Sequence, residues 1–262
     1  MKKVLTIAGS DCSGGAGIQA DLKTIAAFRM YGMSAVTALV AENTVEVRSI
    51  QNSTPTFLAD QLDCVLEDIF PDAVKIGMVS DSTLISVIAE KLKTYVVKNV
   101  VVDPVMVATS GGVLMEPEAM AALKEELLPL ATVMTPNLPE AEALCGMKIS
   151  DKKEMEQAAA QLGQQYAGAV LVKGGHLTET ADDLLWQKGE GHWLTGQRVD
   201  NPNTHGTGCT LSSAIACGLA QGLSCLEAVQ QAKDYLTGAL RQGLNLGRGK
   251  GPVNHGYWLE RR

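Results

Sequence analysis

The chain has 262 residues, 46% of them hydrophobic, and 22 Lys and Arg against 29 Asp and Glu give it a formal charge of −7. That length alone allows one or two domains, a single α/β unit spanning residues 1–262 being expected, and the lack of any basic block argues against a nucleic-acid partner. No window approaches the ~18 apolar residues of a membrane span. The first apolar run is shorter than the roughly 7–15 residues of a signal-peptide core, so a cytoplasmic location is expected.

Short β-rich runs alternate with helical stretches, the pattern of βαβ units around a mostly parallel sheet. Strands are predicted at 4–8, 35–41 and, half exposed, at 45–51. Helices are predicted at 17–31, closed by Gly32 as C-terminal cap, and at 55–70. A strand at 73–78, an amphipathic helix at 81–97 and a buried strand at 100–103 follow. Next come a helix at 116–128, a strand at 131–135, a helix at 138–144 capped by Asn137 and a helix at 152–166. A strand at 169–173 precedes an antiparallel hairpin of 184–188 with 192–195. Two helices, near 206–221 and 226–244, end in a glycine-rich tail. In open α/β sheets ligands bind beyond the carboxyl ends of the strands, where Asp103, Asn137, Lys173 and the loop at 9–17 all fall.

The six cysteines, at 12, 64, 145, 209, 217 and 225, include no C-x-x-C pair, and the four histidines include no H-E-x-x-H. Reduced thiols are therefore expected and zinc is not. Cys217 and Cys225 read as core residues.

Three segments could carry chemistry. In Thr204-His205-Gly206-Thr207-Gly208-Cys209-Thr210, glycines lead directly into an apolar helix. Amides at a helix N-terminus make an anion site, and glycine lets a phosphate approach the backbone. The same field favours a thiolate. Cys209 could thus take a proton from a substrate hydroxyl, or it could simply be a small buried residue beside a turn. The second segment, from Gly9 to Asp21, contains Gly15-x-Gly17-x-x-Ala20, a weak match to the dinucleotide fingerprint with Glu42 at about the right distance. Its loop is too long for the tight turn at a strand end that the fingerprint requires, and no Walker A motif occurs. A loop folded over a small substrate fits better. In the third, Asn137 and Glu140 fit an ordinary capping box or, alternatively, a position near Mg²⁺ with its bound water. Lys173, at a strand end, could reach a nucleotide phosphate.

Taken in order, several motifs resemble the ribokinase-like superfamily and, closely, the hydroxymethylpyrimidine/phosphomethylpyrimidine kinases of thiamine biosynthesis. They are Ala-Gly-Ser-Asp at 8–11, Gly-Gly-Ala-Gly-Ile-Gln-Ala-Asp-Leu-Lys-Thr at 14–24 and Lys-Ile-Gly-Met at 75–78. Asp-Pro-Val-Met at 103–106, Thr-Pro-Asn-Leu-Pro-Glu-Ala at 135–141 and Val-Lys-Gly-Gly-His at 172–176 continue the series. Thr-His-Gly-Thr-Gly-Cys-Thr at 204–210 and Gly-Pro-Val-Asn-His at 251–255 complete it. The resemblance implies a Rossmann-like three-layer αβα sandwich, ATP as co-substrate, Mg²⁺ and a homodimer. It implies phosphorylation of 4-amino-5-hydroxymethyl-2-methylpyrimidine and then of its monophosphate. It also implies that Cys209 stands where most ribokinase-like kinases have an aspartate base, with Gly206, Thr207 and Gly208 completing the anion hole. Asn137, Lys173 and Thr207 would contact ATP, and Glu140, with Asp103 as a weaker candidate, would serve the metal. Gly9, Ala16, Asp21, Glu42, Met78 and Val105 match the pyrimidine pocket.

One position departs from the pattern, because this chain has Glu42 where the family usually has Gln. A Gln amide both donates and accepts, whereas an ionised Glu only accepts. Glu42 would serve an aminopyrimidine if a proton is shared between its carboxyl and the ring nitrogen. The neighbouring alternative is pyridoxal or pyridoxine kinase activity in vitamin B6 salvage. A dinucleotide-dependent oxidoreductase or a non-catalytic nucleotide-binding protein is disfavoured by the long first loop and the Gly-Thr-Gly-Cys helix start.

Overall fold

The structure is a computed structural model and describes residues 1–106, 115–175 and 181–259. Strands β1 (Lys3–Asp11), β2 (Tyr31–Glu42), β3 (Val47–Asn52), β4 (Ala73–Ile76), β5 (Val100–Val102), β6 (Val133–Met134), β7 (Ala169–Val172), β8 (Asp183–Gln187) and β9 (Glu190–Leu194) form one sheet. Its order is β3-β2-β1-β4-β5-β6-β7-β8-β9. The strands from β2 across to β7 run parallel, and β3, β8 and β9 are antiparallel additions at the two edges.

Alternation along the central strands sets the layers, because successive strand residues point to opposite faces. Leu5, Ile7, Val74, Ile76, Val100, Val102, Val170 and Val172 pack against α2 (Pro55–Asp68), α3 (Ser82–Thr94), α4 (Pro117–Ala122), α5 (Leu138–Cys145) and α6 (Lys152–Gln165). Val4, Ala73, Val101, Val133 and Leu171 face α1 (Gly17–Ala27), α7 (Thr207–Gln221) and α8 (Cys225–Arg241). This is the three-layer αβα sandwich expected from the sequence. No helix among the described residues is long and apolar enough to cross a membrane.

Several boundaries differ from expectation by a few residues, and two of the differences have a clear physical cause. Helix α1 ends at Ala27 rather than continuing to Tyr31, and Arg29 takes the left-handed conformation with φ 58°. Tyr31 and Gly32 instead open β2, paired with Lys3 and Val4. Gly32 is small because a Cβ there would press within 2.8 Å of Leu22, not because it caps a helix. The helix expected at 116–128 is α-helical only to Ala122, then widens to a π turn over Leu123–Leu127 and tightens to 3₁₀ over Leu128–Leu130. Pro129 cannot donate to an α ladder, which accounts for the break.

Candidate active site

The chemistry gathers at the N-terminus of α7. Gly206 is its cap, with φ 79°, and a Cβ there would collide with the Gly15 carbonyl. Glycine is thus required twice, for the left-handed backbone and for the close approach of the 12–16 loop. The first amide bonding back into the helix is Thr210 N–H, donating to the Gly206 carbonyl at 2.9 Å. Gly208 and Cys209 lie ahead of that ladder, where helix amides point outward. Thr207 N–H donates to the Thr204 carbonyl at 3.3 Å.

Beside Gly208 the strand ends bring together Asp103, Lys173 and Glu140. Lys173 Nζ lies 2.8 Å from Asp103 Oδ1 and 3.9 Å from Glu140 Oε2. Asp103 is buried, and Thr135 Oγ1 donates to its Oδ1 at 2.9 Å. A Cβ on Gly208 would stand 3.2 Å from Asp103 Oδ2 and 3.5 Å from Lys173 Nζ, so this glycine leaves the pair open to the helix N-terminus. Burial opposes the charge on Asp103, but Lys173 and Lys75 hold its carboxyl below the usual range. Burial likewise opposes the Lys173 ammonium, and Asp103 and Glu140 overcome it. Glu140 differs: burial, with Asp103 nearby, pushes its carboxyl up to about 7 against the pull of Lys173. Asn137 and Glu140 form the capping box of α5, with Asn137 Oδ1 accepting from Glu140 N–H at 2.9 Å and Glu140 Oε2 accepting from Asn137 N–H at 2.8 Å. Asn137 also pairs across the strand ends with Lys173. Capping and site-building therefore coincide here.

On the other side of the Gly206 turn lie the residues expected around the ring. Met78 packs with Ala38, Val40 and Val105, and a Cβ on Gly9 would sit 3.1 Å from Met78 Sδ. Ala16 is the N-cap of α1. Glu42, the last residue of β2, lies with Asp11 and His205 in a set whose ligand atoms are all within 4.8 Å of one another. Among the described residues no other set of three or more His, Cys, Asp and Glu side chains lies this close together. Asp11 Oδ2 accepts from Gly15 N–H, Ala16 N–H and His205 Nε2, and its Oδ1 accepts from Ser13 N–H. The bond to Asp11 raises the His205 imidazole above its usual value, against the effect of burial. Burial pushes the Glu42 carboxyl up to about 7, with Asp11 adding to the rise and His205 opposing it.

Asp21 belongs to a buried ion pair. Expected in the ring pocket, it is fully buried, and its carboxylate accepts both contacts of Lys75 Nζ, at 3.0 and 2.8 Å. Thr6 Oγ1 at 2.6 Å and Ser213 Oγ at 2.7 Å complete its partners. Its charge also acts on Cys209, where it favours the thiol. Ser213 lies one turn beyond Cys209 on the same helix face. Burial pushes the Cys209 thiol up to about 11, while Lys75 and a hydrogen bond from Gly17 N–H pull the other way.

Sequence reasoning assigned no role to Asp11, His205 or Lys75, although each had a readable cue. Lys75 interrupts the apolar strand Ala-Val-Lys-Ile, and a buried lysine requires a partner. Asp11 precedes a run of small residues whose amides an Asx side chain can collect. His205 offered only its place in the helix-start motif.

The phosphomethylpyrimidine kinase family matches residues 11–254 of this chain. The hydroxymethylpyrimidine/phosphomethylpyrimidine kinase of Rhizobium meliloti is 50% identical over 96% of each chain. The thiamine biosynthesis bifunctional protein ThiED of Geobacter sulfurreducens is 51% identical over 96% of this chain, which spans only 52% of that longer relative. The crystal structure of phosphomethylpyrimidine kinase from Clostridium difficile covers 90% of this chain and 98% of its own at 46% identity and a TM-score of 0.82. An ADP complex of Bacillus subtilis pyridoxal kinase covers both chains fully at 39% identity and a TM-score of 0.91. With a match running from the Asp11 loop past the α7 turn, and a relative 50% identical over 96% of each chain, the chain belongs to the hydroxymethylpyrimidine/phosphomethylpyrimidine kinase family.

Proposed function

We propose that the protein transfers the γ-phosphoryl group of ATP to the hydroxymethyl oxygen of 4-amino-5-hydroxymethyl-2-methylpyrimidine, and then to the resulting monophosphate. The diphosphate so formed would serve thiamine biosynthesis. One observation carries the reading: a single helix N-terminus, that of α7, divides the Asp103–Lys173–Glu140 cluster from the Glu42–Asp11–His205 cluster. The first offers Lys173 to a phosphate and two carboxyls to a cation that would accompany it, the second would face the ring, and the transferring group would lie between them. The chain relatives named above support the substrate, and the continuous nine-stranded sheet supports a single domain.

In this reading Lys173 meets the transferring phosphates as a point charge. The Gly208 and Cys209 amides stabilise the charge that spreads over the phosphoryl oxygens. Cys209, as thiolate, takes the hydroxyl proton while the oxygen bonds to phosphorus and ADP departs. Asp103 and Glu140 supply the hard carboxylate oxygens that suit Mg²⁺. When bound there, the ion would neutralise phosphate charge. A homodimer fits the outermost strand β3, whose residues are mostly exposed beside exposed Leu39 and Val45; size-exclusion chromatography with light scattering tests it.

A second reading, pyridoxal kinase, draws on the higher TM-score to the Bacillus subtilis enzyme. Parallel turnover assays with Mg-ATP on the pyrimidine, its phosphate and pyridoxal decide. ADP formation with both pyrimidines is expected, and activity on pyridoxal alone would overturn the first reading.

A further inference from the structure

The ring side of the site contains more ionisable groups than recognition of a neutral ring requires. Asp11 ends β1, Glu42 ends β2, and His205 immediately precedes the Gly206 cap of α7. Two carboxyls and an imidazole thus lie within 4.8 Å of one another. Asp11 and His205 are 1% and 4% exposed, and Gly15 lies flush on the imidazole, since any Cβ there would collide with its ring. Asp11 is fixed as an anion by three backbone N–H groups and by His205 Nε2 at 2.8 Å. His205 is the group in this set able to carry positive charge. Burial works against that charge, and the bond to Asp11 raises the imidazole above its usual value.

Glu42 therefore faces one fixed anion from β1 and one titratable imidazole from the segment before α7. A further titratable neighbour, Cys12, donates its thiol hydrogen to Glu42's own carbonyl at 3.2 Å. If His205 is neutral, the carboxyl of Glu42 feels Asp11 alone and retains its proton to higher pH. If His205 is charged, Asp11 is balanced and Glu42 ionises more readily. The state of Glu42 decides what it can recognise. A neutral carboxyl donates from one oxygen and accepts at the other, while a carboxylate only accepts.

We infer that His205, held by Asp11, is a positioning residue that acts through Glu42 to set the proton count of the ring pocket, so that the pocket selects rings whose edge joins a ring nitrogen to an exocyclic amine. Such an amidine edge offers one acceptor and one donor side by side. It pairs with a carboxyl through a single shared proton, whichever partner brings it. A ring bearing a phenolic oxygen and no amine cannot make that pair. The inference rests on the kinase reading for its substrate, but not for the coupling between His205 and Glu42.

The test uses the intact chain with ¹³C-labelled glutamate carboxyls, Glu42 being assigned by its loss in Glu42→Gln. His205→Gln keeps an N–H donor for Asp11 and removes the positive charge. The Glu42 midpoint should then move upward. The alkaline limb at which KM for the pyrimidine alcohol rises should move with it, while kcat changes little. Each unit of movement makes KM about tenfold lower at pH values above the original limb, since tenfold in occupancy follows each pKa unit. Glu42→Gln should flatten that limb. In the unmodified chain the Glu42 signal should show a second inflection at the His205 midpoint, an arm that needs no variant to fold. A Glu42 midpoint unmoved by His205→Gln, a KM limb that stays in place when the midpoint moves, or a single inflection in the unmodified chain would each overturn the inference. Absence of pyrimidine turnover by the unmodified chain at any pH, with the carboxyl coupling intact, would instead sink the kinase reading and leave the role of His205 standing.

Discussion

Cys209 sits in a balance of opposing fields. Burial favours the thiol, whereas the Lys75 ammonium and the Gly17 N–H favour the thiolate. At neutral pH the thiol dominates, so the proton-accepting form is scarce and its supply limits any step that needs a base. The two proposed acceptors differ in that need. An alcohol must lose a proton, whereas a phosphate monoester already carries charge above its second pKa of ≈ 6. Cys209→Ala should therefore lower kcat on the pyrimidine alcohol by about 10²–10⁴-fold, the usual span of general-base catalysis, and affect the monophosphate far less. Steady-state assays on both acceptors read this directly; equal losses would show that the thiol packs or positions rather than accepts the proton. Lys75 belongs to the same balance. Replacing it together with its partner, as Lys75→Met with Asp21→Asn, keeps the buried site neutral, because a lone buried charge is strongly destabilising. Lys75 opposes the thiol more than Asp21 favours it, so the pH midpoint for iodoacetamide labelling of Cys209, followed by peptide mass spectrometry, should rise.

At the scale of elements, helix ends do the organising. The α5 capping box holds Glu140 by its carboxyl and so aims it at Lys173. Asn137→Ala should cost about 1 kcal/mol of stability, a typical loss for an N-cap; the backbone N–H of residue 137 still holds the Glu140 carboxyl, so any rise in KM for Mg-ATP reads the loss of the Asn137 side chain as a nucleotide contact. Thermal melts and nucleotide titration measure the two parts separately. The elements were largely legible in the sequence for a physical reason: a buried parallel strand reads as an apolar run, and an amphipathic helix repeats every 3.6 residues. The Gly206–Cys209 turn was legible because its glycines serve the backbone, which local sequence controls. Where reading failed, the cause was not local. Gly32 looked like a helix cap, but its smallness answers to Leu22 across a packed interface. The pairing of Asp21 with Lys75 was not legible either, because the two lie 54 residues apart. Asp11 and His205 meet across 194 residues, and no spacing rule joins them.

For the whole molecule, the raised carboxyls shape the response to pH. Glu42 and Glu140 have folded values of about 7 against an ordinary 4.5. Their contribution to stability is complete below the ordinary value and is lost as pH rises through the folded one. Asp11 and Asp103, held below their ordinary 3.8, contribute the opposite way: their stabilisation is present above that value and is lost as pH falls through their folded values. An ion held by Asp103 and Glu140 requires the ionised carboxylate. The rise in melting temperature produced by Mg-ADP should therefore be larger at pH 8 than at pH 6. Differential scanning fluorimetry at the two pH values checks this, and an equal rise would remove Glu140 from the metal's surroundings.

The pairing of Asp11 with His205 has a consequence for the order of events during synthesis. One half of the pocket leaves the ribosome with the first strand; the other follows 194 residues later. At about 5–20 residues per second, the gap is on the order of ten to forty seconds. Throughout that interval the Asp11 loop lacks the side chain that anchors it, and α1 lacks the helix start that faces it. A nascent chain thus has no complete site to be captured by ligand, and premature termination before the α7 turn yields fragments without one. Binding competence arrives late and all at once, as a property of the nearly finished chain.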